Sequence, residues 1–318
     1  MKKIIVTLYF LIIALPALAI EHKVAAVVND EIITDLDLKK RVALIIKSSG
    51  MENNKQSVEL VKGQALQVMI DEKLIDIEAK KLGIEVEEEE VANALKGIAD
   101  NNGLKPEDLE NFLNQGGLDK ATLVEQIKHQ LLWNKVIRLS LQPKITVSSQ
   151  EVEENTKSIK QAILNTKDSA DHSEQVKLSE IVMYAKDKTQ AKSKLALARE
   201  VVKRIRNGVD FTKMVKQFSQ AGSVSNNGEL GWVYVFQLMP DLQKTIKSLS
   251  IADVSDPIIM DDGVHILKLS DRKSNKPKSD IEPDAAQIKE ILLGKKLEIL
   301  VRSNLMQMRH NAYISIKG

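Results

Sequence analysis

The stretch from Ala285 to His310 constrains this chain most. Ile288, Ile291, Leu292, Ile299, Leu300 and Leu305 recur along it at helical spacing, so it reads as one long amphipathic helix. Such a helix is marginal alone in water, because most of its stability comes from burying its apolar stripe. Its immediate neighbours offer little. Residues 273–284, with two prolines and several charges, read as a linker, and the strand-like Ala312-Tyr313-Ile314-Ser315-Ile316 follows. The stripe needs a partner from far upstream.

The N-terminal half supplies candidates. Lys23 to Val28 reads as a short strand, Asn29-Asp30 as a turn and Glu31-Ile32-Ile33 as the return. Thr34 then caps a helix, with Asp35 and Asp37 in its first turn. Val61, Ala65, Leu66, Met69, Ile70, Leu74, Ile77 and Leu82 pattern a long helix from Val58 to Leu82, which Gly83 ends. The acidic run Glu87 to Glu90 opens another helix. Consecutive residues there point around the axis instead of converging on a metal. Pro106 sits in a first turn, Gly116-Gly117 is a stop, and Lys120 to about Leu139 is again helical until Pro143. Ser148 and Glu151 match a capping box for one more helix. The tail helix is expected to pack on these, so that the two ends make one discontinuous, mostly helical domain, and contact with Val58–Leu82 is the observation that decides it.

The extreme N-terminus reads as a secretory signal over residues 1–19. Lys2-Lys3 precede an apolar run, Ile4 to Leu15, too short to span a bilayer, and Ala17-x-Ala19 offers cleavage after Ala19. Removing it leaves 46 − 2 = 44 bases against 44 acids. A chain with no net charge has no strong field to gather nucleic acid or anionic membrane. There is no cysteine, hence neither a disulfide nor a lipid anchor, and no other apolar stretch long enough for a membrane anchor. The expected setting is the periplasm. The sequence carries no signal for an oligomeric state.

Between the two ends, residues 166–175 read as a linker and residues 176–272 as a separate module. A strand runs from Val176 to Tyr184, a helix from Thr189 to Arg206, and a short helix follows Asp210-Phe211. Next come the loop Asn227-Gly228-Glu229-Leu230-Gly231-Trp232 and the strand Gly263-Val264-His265-Ile266-Leu267-Lys268-Leu269. In this order the pieces resemble parvulin-type peptidyl-prolyl isomerases. Residues 20–165 resemble, more loosely, the N-terminal domain of SurA-type periplasmic chaperones. That likeness rests on Val24-Ala25-Ala26-Val27-Val28-Asn29, Met69-Ile70-Asp71, Leu82-Gly83-Ile84, Ala99 to Leu104, and Ile145 to Val152. The resemblance implies an α+β chain: a helical chaperone domain, completed by residues 285–318, with a parvulin-like module on a small antiparallel sheet inserted into it. Such chaperones usually carry two parvulin modules, and this chain has room for one.

Rotation about a peptide bond faces a barrier of roughly 18–20 kcal/mol, and easing it requires no cofactor. It requires an apolar seat for the proline and polar groups that favour the twisted amide. Parvulins supply two histidines, an acid or cysteine, and a Met/Phe floor. Carried over by position, the second histidine is His265, and the first falls on Glu180. The acid-or-cysteine position falls on Ala221. The floor falls on Leu238 or Met239 and on Leu242, and two hydroxyl positions fall on Met260 and Asp262. The resemblance thus makes His265 and Glu180 the candidate catalytic pair, expected within hydrogen-bonding reach. Leu238, Met239, Leu242, Met260 and Trp232 are the candidate substrate contacts.

Other chemistries lack their residues. No H-E-x-x-H, P-loop, G-x-G-x-x-G or G-x-S-x-G occurs, so no metal or cofactor is implied. Two functions remain. One is a chaperone that binds unfolded exported clients, outer-membrane proteins by analogy, in a groove lined by the N-terminal helices and Ala285–His310. The other is an active prolyl isomerase. The missing polar groups favour the first, with isomerisation weak or absent.

Overall fold

The computed structural model describes residues 23–165, 174–273 and 284–317. The expected signal peptide and nearly all of both expected linkers lie outside these residues. Strands β1 (Val24–Val28) and β2 (Glu31–Thr34) form a hairpin across Asn29, whose φ of 52° makes the tight turn. Thr34 caps α1 (Asp35–Ser48) by accepting from the Asp37 amide. Helix α2 (Lys55–Leu82) begins three residues before its expected start, because the Asn54 side chain caps it. It ends at Gly83, in the left-handed conformation. Then come α3 (Glu88–Asn101), opened by a Glu87–Glu90 capping box, α4 (Leu109–Gln115) and α5 (Lys120–Val136). The end of α5 widens into a π-helical turn, Ile137–Leu141, before Pro143 ends the run. Helix α6 (Ser149–Asn165) starts at the expected Ser148–Glu151 box.

The module is a four-stranded antiparallel sheet in the order β4–β3–β6–β5. Its strands are β3 (Gln175–Tyr184), β4 (Glu229–Tyr234), β5 (Ile258–Met260) and β6 (Gly263–Lys273). Helices α7 (Lys188–Arg206), α8 (Phe211–Phe218) and α9 (Pro240–Ser248) flank it.

The last helix, α10 (Ala285–Asn311), leads into β7 (Ile314–Ile316), which pairs antiparallel with β1: Val28 faces Ile314 and Ala26 faces Ile316. The two ends of the chain thus share one sheet, β2–β1–β7. Helix α10 buries Ile288 against Ile159 of α6, and Val301 against Ile137 and Leu141 of the π-helical turn. It reaches α2 only near its end, where Arg309 bonds Asp71 at 2.5 Å and both Gln67 oxygens. The expected contact with α2 is thus made by this clasp and by Met308, which packs on the core that α2 shares, while α6 and the π-helical turn take Ile288 and Val301. Ile299, expected on the buried face, is 68 % exposed.

The module is not a bead on linkers. Ile181, Met183, Phe218, Val264 and Ile266 share one continuous core with Val42, Ile45, Val61, Ala65 and Ile70 of α1 and α2. Burial of this size stabilises the two parts together.

Candidate functional site

In β6, His265 faces Val182 of β3, and Leu267 faces Glu180. Side chains alternate along a strand, so Glu180 and His265 lie on one face as diagonal neighbours. They are 3.9 Å apart between Glu180 Oε2 and His265 Nδ1, an ion-pair distance and not a hydrogen bond. Each has a nearer partner. His265 Nε2 is 2.9 Å from Asp262 Oδ1, and the Ser223 hydroxyl donates to Glu180 Oε1 at 3.0 Å. The expected direct hydrogen bond is thus replaced by two bonds to residues that flank the pair.

The loop that carries Ser223 is held close by its own turn. Asn227 and Gly228 both take positive φ, and the Gly228 carbonyl accepts from the Glu180 amide at 2.8 Å. A Cβ on Gly228 would stand 2.7 Å from the Glu180 carbonyl oxygen, so only glycine allows this approach.

Three further groups complete the cluster. Arg302 of α10 donates to the other Asp262 oxygen at 3.0 Å, and its guanidinium lies 5.1 Å from the Tyr184 ring centre. Glu298, one turn earlier, accepts from the Gly222 amide at 2.8 Å and from the Tyr184 hydroxyl. Burial, with Glu298 nearby, pushes the Glu180 carboxyl up to about 7. The hydrogen bond to His265, opposed by partial burial, holds Asp262 below the usual carboxylate range. Burial and the Glu298 charge raise the Tyr184 hydroxyl.

The other expected contacts divide. Leu238 and Leu242 pack against Leu178, Leu267 and Leu269, behind the same sheet face as His265. Met260 is buried opposite Gly263, and Ala221 is buried. Met239 points outward at 52 % exposure. Trp232 pairs with Lys177, at the end of the sheet away from His265, and stacks under the Lys273 ammonium at 3.7 Å. Sequence reasoning missed Ser223, Tyr184, Glu298 and Arg302. Ser223 lies four residues before the recognised loop, and nothing local marked the two residues on α10.

A second polar region lies where the three parts meet. A cavity of about 100 Å³ is walled by α1, α2 and α5, by the end of α8 and the loop after it, and by Leu305 of α10. Its lining mixes Ile45, Ala65, Val68 and Trp133 with polar groups. Arg41, 4 % exposed, makes a two-pronged bond to Glu72 at 2.7 and 3.0 Å. Its Nε and the side-chain oxygens of Gln126, Asn134 and Gln217 have no hydrogen-bond partner. Burial disfavours the charged ring of His129, but the bond to Asp76 and the Glu72 charge outweigh it and raise the imidazole pKa. The module thus walls part of this cavity, whereas the sequence reading expected a groove lined by the N-terminal helices and Ala285–His310 alone. Among the described residues no helix is long and apolar enough to cross a membrane.

Two family models match the chain: the SurA N-terminal domain over residues 21–138 and the PPIC-type PPIase domain over residues 175–271. The chain is similar to the protein named chaperone SurA of Pseudomonas putida, at 26 % identity over 303 residues, covering 93 % of this chain and 68 % of that one. The chaperone SurA of Nitrosococcus oceani is 26 % identical over 281 residues, with 85 % and 63 % covered. The chain thus spans about two thirds of the length of these relatives. Among solved structures, one from a study of the SurA-like chaperones PEB4 and Cj1289 of Campylobacter jejuni covers 92 % of the chain and 98 % of its own, at 13 % identity and a TM-score of 0.38.

Proposed function

We propose that this SurA-like chain, which joins a SurA N-terminal domain to a single PPIC-type rotamase domain, is a periplasmic chaperone. It holds unfolded exported polypeptides, outer-membrane proteins among them, and carries the rotamase as a secondary activity. One observation carries this reading: the cavity at the three-way junction. Buried amide and guanidinium groups are costly without partners. Unpaired Arg41 Nε and the oxygens of Gln126, Asn134 and Gln217 provide one donor and three acceptors. That set matches the C=O and N–H groups of an unfolded main chain, and the apolar lining suits its side chains. At about 100 Å³ the cavity takes one side chain or peptide unit of such a chain, read by backbone and bulk and not by sequence.

The test is aggregation suppression by the full chain and by the double variant Gln126→Leu, Asn134→Leu. Holding of an unfolded polypeptide should weaken several-fold while circular dichroism stays unchanged. Undiminished holding would contradict the assignment.

A prolyl isomerase as principal function has one observation in its favour: His265 stands among Glu180, Asp262 and Ser223, a fuller polar set than the sequence led one to expect. Isomerisation of a proline peptide by the wild type, compared with His265→Ala, separates the two readings.

A further inference from the structure

His265 and Glu180 are only 9 % and 8 % exposed. A proline ring and its flanking peptide need an open surface to reach such groups. Part of the cover is one turn of α10. Glu298 takes the Gly222 amide and the Tyr184 hydroxyl on its two carboxylate oxygens, and Arg302 takes Asp262, the residue that also bonds His265. Between them Val301 closes on the loop backbone. A Cβ on Gly222 would meet Glu298 Oε2 at 2.7 Å and Val301 at 3.2 Å.

These contacts differ from ordinary helix packing. Val301 buries an apolar group, but Glu298 and Arg302 meet donors and acceptors of the module that a bound peptide would otherwise engage. The Gly222 N–H and Tyr184 O–H each bond one oxygen of the Glu298 carboxylate, and both donors are freed when the turn withdraws. Helix α10 belongs to the other part of the molecule, with Lys296 clasped to Glu151 of α6 and Arg309 to Asp71 of α2.

We infer that the Glu298–Arg302 turn of α10 is an intramolecular occupant of the rotamase face, and that a proline peptide reaches His265 only when this turn withdraws. The inference rests on the rotamase reading proposed above and adds its regulation. The chaperone domain holds the module shut through its own C-terminal helix, so whatever loosens α10 uncovers the isomerase.

The test uses the full chain in two forms that release the turn by different means. Glu298→Gln with Arg302→Met removes the charged contacts. Gly222→Ala keeps every charge and drives a methyl group between loop and helix. Isomerisation of a proline-containing tetrapeptide, amide exchange at residues 222–228 and aggregation suppression are measured together. Both forms should raise kcat/KM about tenfold, the gain expected if the uncovered state is populated to about a tenth in the wild type. Exchange at 222–228 should quicken, and adding His265→Ala should erase the gain. The inference is overturned if neither form gains activity, whether or not exchange shows the turn released, or if His265→Ala leaves the gain intact. Measurable wild-type isomerisation that His265→Ala abolishes, alongside a failed gain, sinks the latch alone. No isomerisation by the wild type or by either released form sinks the rotamase reading as well.

Discussion

Replacing Glu180 by glutamine should stabilise the protein at alkaline pH and change little at acid pH. An unfolded glutamate loses its proton near 4.5, whereas Glu180 in the fold holds its proton up to about 7, because burial and the neighbouring Glu298 oppose its charge. The folded form therefore keeps a proton that the unfolded form has already released. The resulting stability is fully present below about pH 4.5 and drains away as pH rises through about 7. From pH 5 to pH 8 the loss is on the order of 2–3 kcal/mol. Glutamine cannot ionise, and its carbonyl can still accept from the Ser223 hydroxyl, which sits 3.0 Å from Glu180 Oε1. Urea unfolding followed by circular dichroism at pH 5 and pH 8 reads the effect as a difference between variant and wild type, so other titrating groups cancel. The variant should gain about 2–3 kcal/mol relative to wild type on going from pH 5 to pH 8. A gap of equal size at both pH values, or a variant less stable at pH 8, would refute the placement of Glu180 as a buried, ionisable side chain.

Other perturbations probe the joints between the parts. Arg309→Met leaves Asp71, 6 % exposed, without its ion partner, and should cost about 3–5 kcal/mol in thermal unfolding. Adding Asp71→Asn should recover part of that loss. Gly228→Ala forces a Cβ to 2.7 Å from the Glu180 carbonyl at a φ of 83°, and should lower stability by about 2 kcal/mol or more in the same assay. Phe218→Ala, in the core that module and helices share, should cost about 3–5 kcal/mol. Calorimetry should then show one transition moving as a whole, not a module melting alone.

Local chemistry made much of this legible from residues. Thr34, Gly83 and the Ser148–Glu151 box mark helix ends because a single side chain or a single φ decides them. The apolar stripe on Ala285–His310 announced that the tail needed a partner upstream, and the tail does return to the N-terminal part, where Ile288 and Val301 are buried and β7 pairs with β1. Which partner it took was not legible. Ridge packing on α6 and the π-helical turn depends on three-dimensional shape, and Ile299 fits the helical period yet faces outward. The same limit governs the site. His265 and Glu180 were readable because the parvulin resemblance carried their positions over, and the β3–β6 register puts them on one face. Arg302 and Glu298 come from more than thirty residues beyond His265 and enter only through the packing of α10. Trp232 was assigned by motif alone, and the register of β4 carries it to the far end of the sheet.

The central claim is that unfolded chains are held where the N-terminal helices, the module loop and α10 converge. A photo-crosslinking side chain at Gln130, on the cavity wall, tests it directly against the same side chain at Gln115, on the exposed surface of α4. Irradiation with an unfolded outer-membrane polypeptide should give crosslinks at 130 and few at 115, and excess unlabelled client should compete them away. Equal crosslinking at both positions, or crosslinks at 130 that excess client does not reduce, would contradict the account.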